Sequence, residues 1–319
     1  RAMREMRSYL IEEQTITSLV QLEYSGFSGA TVPICIFTLQ KGSNSEFRGG
    51  YIRLSDFKGA DNQAPKTLEA IRNPECGWFY RADQQDFKKI PGNPIAYWSS
   101  EMMRVNFAKG MTNPLSEFFK VAKGITTGKN EKYLRLWWEV SKDRLTLSRA
   151  RFDDGLYSYW AACDKGGEYR KWYGNNWFVI DWRNNGKEVI ESRASTPRNL
   201  FASFLPSSAC SKISSGSISF RHHDKGFVFV DAAVSMTGNE ENQAYAEGLL
   251  NSSVVLSMMS ILAPTLNFEV GQIRNLPLLF NLSLKEIVEG NCQSFSYSFQ
   301  IRLGFLRNLL GLCRLATHP

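Results

Sequence analysis

The first 60 residues offer one helical stretch and three strand-like runs, too little to bury a layered α/β core. Met3 to Glu12 has a helical pattern, while Ile16 to Glu23 and Val32 to Leu39 are rich in β-branched and apolar residues, with Gly26 and Gly29 marking the turn between them. Phe47 to Leu54 reads as a third strand after the polar turn Lys41-Gly-Ser-Asn-Ser45. The stretch is therefore an incomplete α/β unit. The chain opens on Arg1 within a helical pattern and reads as a piece of a longer polypeptide.

Residues 61–122 are punctuated by Asn73-Pro74, Pro91-Gly92 and Asn93-Pro94 and read as a half-irregular connector with a helix near Ser99 to Ala108. Residues 123–280 form a second unit. Its short aromatic-rich strands are Tyr133 to Val140, Trp177 to Trp182, Ile218 to Arg221 and Phe227 to Asp231, and a long helix, Glu241 to Leu262, closes it. Residues 281–319 read as a helical tail, with a helix from Ser298 to Ala316 and no assigned function. The most apolar run, Leu249 to Ala263, is cut by Asn251 and four serines and is too short to span a bilayer, so it reads as a buried helix. No signal peptide opens the chain, and no membrane association is expected.

The richest stretch chemically is Lys165 to Trp182, which interleaves rings, cations, carboxamides and glycines. Arg170 and Lys171 suit phosphates, Tyr169, Trp172 and Tyr173 offer flat faces and hydroxyls, and Asn175 and Asn176 carry the donor-acceptor pair that matches an adenine edge. The same residues also fit a twisted hairpin whose rings pack into a core. Gly124-Ile-Thr-Thr-Gly-Lys-Asn130 has three residues between its glycines and Asn after its lysine, so it is not a nucleotide-hydrolysing phosphate loop. Thr126, Thr127, Lys129 and Asn130 still make a permissive polar loop suited to DNA, with an ordinary surface turn as the alternative. Arg221 and His222, with His223 beside them, stand at a strand end as candidates for phosphate contact.

A net charge of +7 and a pI near 9.0 favour polyanionic partners. The six cysteines lie far apart with no Cys-x-x-Cys pair, which argues against a disulfide framework or a zinc site and fits a reducing cytoplasm. With three histidines and no Ser/His/Asp or Cys/His spacing, no catalytic constellation is legible. Paired carboxylates near a lysine, which metal-assisted cleavage needs, are missing as well. Three Asn-Pro pairs, at Asn73, Asn93 and Asn113, do not continue as Pro-Tyr or Pro-Phe.

Four stretches carry a family resemblance: Gly77-Trp-Phe-Tyr80 with Ile90-Pro-Gly-Asn-Pro-Ile-Ala-Tyr-Trp98, then Gly124 to Asn130, then Gly166 to Trp182, then Asp224-Lys-Gly-Phe-Val-Phe-Val-Asp231. On these the chain resembles adenine-specific DNA methyltransferases, and within them the C-terminal half of the large BREX phage-defence enzymes of the PglX family. Leu249-Leu-Asn-Ser252 through Thr265-Leu-Asn-Phe-Glu-Val-Gly271 to Leu276-Pro277 is similar to the closing part of target-recognition domains in type I specificity subunits and fused restriction-methylation enzymes. The resemblance implies an α/β chain, α+β overall. Residues 1–60 would be the end of a class I methyltransferase Rossmann-like sheet, and 123–280 a mixed α+β target-recognition domain. Phe27-Ser-Gly-Ala-Thr-Val-Pro-Ile-Cys-Ile-Phe-Thr-Leu-Gln-Lys41 resembles the family's aromatic motif and hairpin strand, so Phe27 inherits the role of stacking on a flipped adenine.

The family's glycine-rich cofactor loop and Asn-Pro-Pro-Tyr tetrad are absent from this chain, and from about Gly290 the sequence leaves the family pattern. The resemblance thus implies double-stranded DNA and a missing N-terminal methyltransferase half as partners, with other phage-defence proteins as a further class. S-adenosylmethionine would serve the full-length parent, whereas this chain alone is expected to bind no cofactor or metal and to be inactive. From another class, a carbohydrate- or protein-binding module built on the Trp and Tyr cluster remains an alternative.

Overall fold

The computed structural model describes residues 2–27, 29, 32–146, 159–214, 216–264, 267–295 and 298. They fall into two units, Arg1–Met111 and Thr112–Pro319. In the first, helix α1 (Ala2–Glu13) runs directly into β1 (Gln14–Gln21). The junction is stitched by the buried Gln84, whose Nε2 donates to the Ile11 and Gln14 carbonyls while its Oε1 accepts from Ile16 N. Strand β1 pairs antiparallel with β2 (Cys35–Lys41) and parallel with β3 (Arg48–Arg53), and β4 (Phe79–Asp83) closes the far edge antiparallel to β3. Alternation along β1 and β3 sends Leu19 and Tyr51 to one face, where Ile11, Phe87 and Tyr97 cover them, and Leu22, Ile52 and Leu54 to the other, where Ala70 covers them.

Ala70 belongs to α2 (Ala60–Arg72), and α3 (Glu101–Gly110) follows. Residues 61–111, expected as a connector, are thus structural members of the first unit, because β4 hydrogen-bonds to β3 and α2 covers one face of the sheet. Residues 112–122 open the second unit. At β2 the layering stops. All seven of its residues are exposed, with Ile36, Phe37 and Leu39 between 40% and 59% accessible.

The second unit begins with α4 (Leu115–Phe118), β5 (Lys120–Lys123) and α5 (Asn130–Tyr133). Strands β6 (Leu134–Leu136), β7 (Leu145–Thr146), β8 (Trp160–Asp164) and β9 (Phe178–Asp181) lead to α6 (Arg183–Ile190). Then come β10 (Ser207–Ser211), β11 (Phe220–His223), β12 (Phe227–Phe229) and β13 (Ala233–Thr237). The unit continues with α7 (Gln243–Leu250), α8 (Ser253–Leu262), α9 (Val270–Arg274) and a helix over 285–295. The strands make two sheets, β11-β10-β13-β5 and β12-β8-β9-β6 with β7 added to β8. Ala162 of β8, Ala209 of β10 and Ala233 of β13 pack with Phe227 and Phe229, so small residues on both sheets let them approach.

The expected strand Tyr133 to Val140 is shorter, three residues followed by a tight turn at Trp137–Glu139. The expected single helix Glu241 to Leu262 is two helices bent by 77°. The break is set by a long-range contact: Asn251, 4% exposed, turns its amide onto the backbone of β11, donating to the Phe220 carbonyl at 3.0 Å and accepting from Phe220 N at 2.9 Å. Ser252 then caps α8 by accepting from Val255 N. No single helix among the described residues is long and apolar enough to cross a membrane. The expected helix Ser298 to Ala316 lies outside the described residues except for Ser298.

Candidate nucleic-acid interface

The Gly124 to Asn130 loop crosses the second unit at van der Waals limits. A Cβ on Gly124 would stand 1.8 Å from the Phe229 carbonyl oxygen, and one on Gly128 (φ +70°) 2.0 Å from that of Ala194. The glycines therefore serve close packing as well as any approach to a partner. Thr127 is 2% exposed and donates to Asn130 Oδ1 at 2.6 Å, and Thr126 donates to Asp231 Oδ2 at 3.1 Å. Lys129 and Asn130 face outward.

Residues 165–176 form an irregular ribbon rather than a hairpin, fixed at both ends. At its start Gly166 N donates to Asp164 Oδ1 at 2.7 Å, and at its end Asn175, 3% exposed with φ +59°, donates through Nδ2 to the Glu168 carbonyl at 2.9 Å. In between, Trp172 N donates to the Phe220 carbonyl and accepts from His222 N through its own carbonyl, which lays the ribbon along β11. The Trp172 ring stacks on Phe295 at 5.4 Å. Lys171 Nζ donates to the Asn251 carbonyl at 2.6 Å, placing a cation at the C-terminal end of α7, where the helix dipole favours it. Tyr169 is 49% exposed, while Arg170, Tyr173 and Asn176 are half-buried.

Three expected contacts are turned inward, the first being Thr127, whose buried hydroxyl is spent on Asn130. Asn175 has spent its donor on its own backbone and is buried, so it positions the ribbon and presents no edge to a base. Arg221 is fully buried. Its Nη2 lies 3.6 Å from Asp164 Oδ2, which also meets His223 Nε2 at 2.8 Å, and all three side chains are between 0% and 1% exposed. This buried cluster joins β8 to β11. Burial alone would raise the Asp164 carboxyl, but Arg221, His223 and the Gly166 amide hold it below the usual carboxylate range.

His222 is half-buried between Asp224 Oδ1, 3.4 Å from Nε2, and Glu247 Oε2, 3.5 Å from Nδ1. Burial pulls its pKa down, yet these carboxylates more than offset that and raise it to about 9. The sequence did not single out Asp164, Glu247 or Asn251. The one available signal was Asp164 ending the otherwise apolar run Trp160-Ala-Ala-Cys. Also unforeseen is an aromatic group at the edge of the second sheet. Trp138, 50% exposed, meets Trp137 and Trp177 edge to face at 5.5 and 5.9 Å, and Arg170 lies 6.0 Å from the Trp177 ring.

In the first unit Phe27 stands 62% exposed between the buried Gly26 and the exposed Gly29. Its approach is fixed by Gln63, whose Oε1 accepts from Glu23 N while its Nε2 donates to the Phe57 and Gly59 carbonyls. The ends of parallel β1 and β3 are filled: Tyr97 donates to Gln21 Oε1 at 2.8 Å, and Arg53 lies 4.7 Å over the Trp98 ring.

The chain matches no family model. Over 309 residues it is 32% identical to the adenine-specific methyltransferase PglX of Lacticaseibacillus casei (strain Zhang), covering 92% of this chain and 26% of that protein. Over 292 residues it is 29% identical to the adenine-specific methyltransferase BrxX of Escherichia coli O9:H4 (strain HS), covering 89% and 23%. The chain thus spans about a quarter of the length of the curated relatives it matches. Among solved structures, the type IIG restriction endonuclease BpuSI aligns with 91% of this chain and 40% of its own at a TM-score of 0.35 and 10% identity.

Proposed function

We propose that this chain, a relative of about one quarter of the PglX and BrxX adenine-specific methyltransferases, recognises double-stranded DNA as part of an N6-adenine DNA methyltransferase of BREX or restriction-modification type. The observation that carries this reading is the ribbon 165–176, a backbone pinned at both ends that turns Tyr169 outward and leaves Arg170 half-exposed beside it. Lys129, Arg170 and Lys171 serve phosphates, with Lys171 also capping α7, whereas the charge on His222 is already met by Asp224 and Glu247. Asn130 and Asn176 remain as base-contact candidates through their amide N–H groups, since Asn130 Oδ1 accepts from Thr127 and Asn176 Oδ1 is buried, with Trp172, Tyr173 and the Thr126 hydroxyl as further contacts. The excess of 38 Lys and Arg over 31 Asp and Glu agrees with a polyanionic partner.

In the whole enzyme Phe27 stacks on the adenine turned out of the helix. S-adenosylmethionine supplies the methyl group, and its site belongs to the three-quarters of the relatives that lie outside the match. Two features support that division. Tyr97 and Trp98 engage Gln21 and Arg53 at the ends of β1 and β3, and the exposed β2 offers the edge where a sheet would continue.

The test is competition between specific and random duplexes at two salt concentrations. Lys129→Ala is expected to weaken binding to every sequence and lower the salt slope by about one, whereas Asn176→Ala should cost roughly 1 to 3 kcal/mol at the preferred site alone. Unchanged binding by both variants would overturn the assignment. The exposed Trp138 and Trp177 favour a second reading, a carbohydrate- or protein-binding platform. Binding insensitive to salt would select it.

A further inference from the structure

Beside the ribbon lies a cleft of about 660 Å³, within the size range of small-ligand sites, lined by Lys165, Glu168, Tyr169, Ile213 and Ser214. Both walls are held in place. On one side Ser211 Oγ donates to the Gly167 carbonyl at 2.8 Å and Asn175 holds the Glu168 carbonyl. A Cβ on Gly166 would meet the Ala232 oxygen at 2.7 Å, and one on Gly167 the Asn175 amide at 2.9 Å, so this turn admits only glycines. On the other side Lys212 N donates to the Ala232 carbonyl, and Ile213 pairs with Asn267. The cleft is preformed, yet Tyr169 and Ile213 stay 49% and 65% exposed, an aromatic and an aliphatic face left without cover.

We propose that this cleft receives one unpaired nucleotide bearing an exocyclic amino group, turned out of the duplex that the ribbon contacts. The proposal rests on the DNA-binding reading and adds a second site to it. Tyr169 stacks on the base and Ile213 covers its other face. Glu168, which accepts but does not donate, takes the amino protons and repels the carbonyl edge of thymine. Lys165, whose ammonium lies 4.5 Å over the Phe178 ring, meets the flanking phosphate. A paired base has no face to offer such a cleft, so the occupant is single and extrahelical.

Fluorescence anisotropy with three duplexes of one sequence, fully paired, with a bulged dA, and with a bulged dT, tests this on the full chain. The bulged-dA duplex should bind about tenfold more tightly than the paired one, and the bulged-dT duplex like the paired one. Ile213→Ser should erase the advantage and leave paired-duplex affinity within about twofold, since it removes stacking cover and no phosphate contact. Glu168→Gln, whose amide also donates, should bring dT to within about threefold of dA. Equal binding of all three duplexes, or an advantage that survives Ile213→Ser, overturns the cleft alone. Failure of every duplex to bind overturns the interface reading along with it.

Discussion

Replacing Asp164 with Asn tests the buried cluster most directly, because it changes charge and almost nothing in volume. The Asn oxygen can still accept from Gly166 N, but its amino group must then face Arg221 Nη2 donor against donor at 3.6 Å, and His223 Nε2 at 2.8 Å must serve as acceptor. Arg221 then has no counter-charge among the described residues. Removing one partner of such a pair costs about 3 to 5 kcal/mol. Urea unfolding followed by tryptophan fluorescence should show that loss as a lower midpoint at unchanged slope. Arg221→Met in the Asp164→Asn background removes the stranded charge and should recover at least about 1.5 kcal/mol, a coupling typical of residues in one network. A cost below about 1 kcal/mol for Asp164→Asn, or simple additivity in the double variant, would refute the argument. The folded carboxyl titrates below its unfolded value, so its stabilisation is present above about pH 4 and is lost as pH falls through the folded value.

His222 has the opposite sign: raised to about 9, it stabilises fully below its unfolded pKa, and that contribution, at most about 3 kcal/mol, disappears between roughly pH 6.5 and 9. His222→Gln should flatten this slope in thermal melts taken across that range. Gly124→Ala meets backbone at 1.8 Å and should prevent stable folding of the second unit, read as loss of near-ultraviolet circular dichroism; a soluble variant with wild-type signal would contradict the packing argument. Phe27→Ala should shift unfolding by less than about 0.5 kcal/mol because the ring is exposed, while slowing methylation in the full-length enzyme. Lys171→Ala should lower stability by about 0.3 to 1 kcal/mol through loss of the α7 cap, in addition to weakening DNA binding.

The elements legible in the sequence were those with a local cause. Helix α1 and strands β1 to β3 follow from apolar periodicity and the Gly26 and Lys41 to Ser45 turns, and each lies within a few residues of its expected place. Helix α2 was hidden by a polar composition and by Pro65, which stands inside the helix, past the first turn where a proline is tolerated, and there removes an intrahelical hydrogen bond. The break at Asn251 comes from a hydrogen bond 31 residues away in sequence, which no periodicity encodes. Arg221 stood at a strand end among histidines and read as a surface cation. Its burial is set by Asp164, whose role appears only once β8 and β11 face each other. Of the ribbon, the residue types were visible beforehand. What could not be read was which of them the backbone itself consumes, Asn175 above all.

The bare strand Cys35-Ile-Phe-Thr-Leu-Gln-Lys41 has a consequence for anyone producing this chain alone. It is a seven-residue edge with apolar side chains on both faces, no proline, and one charge at its far end. Such an edge pairs readily with a copy of itself, so the isolated chain should precipitate with rising concentration unless that edge is blocked. A single lysine at Phe37 should extend its working concentration more than several substitutions elsewhere on the surface.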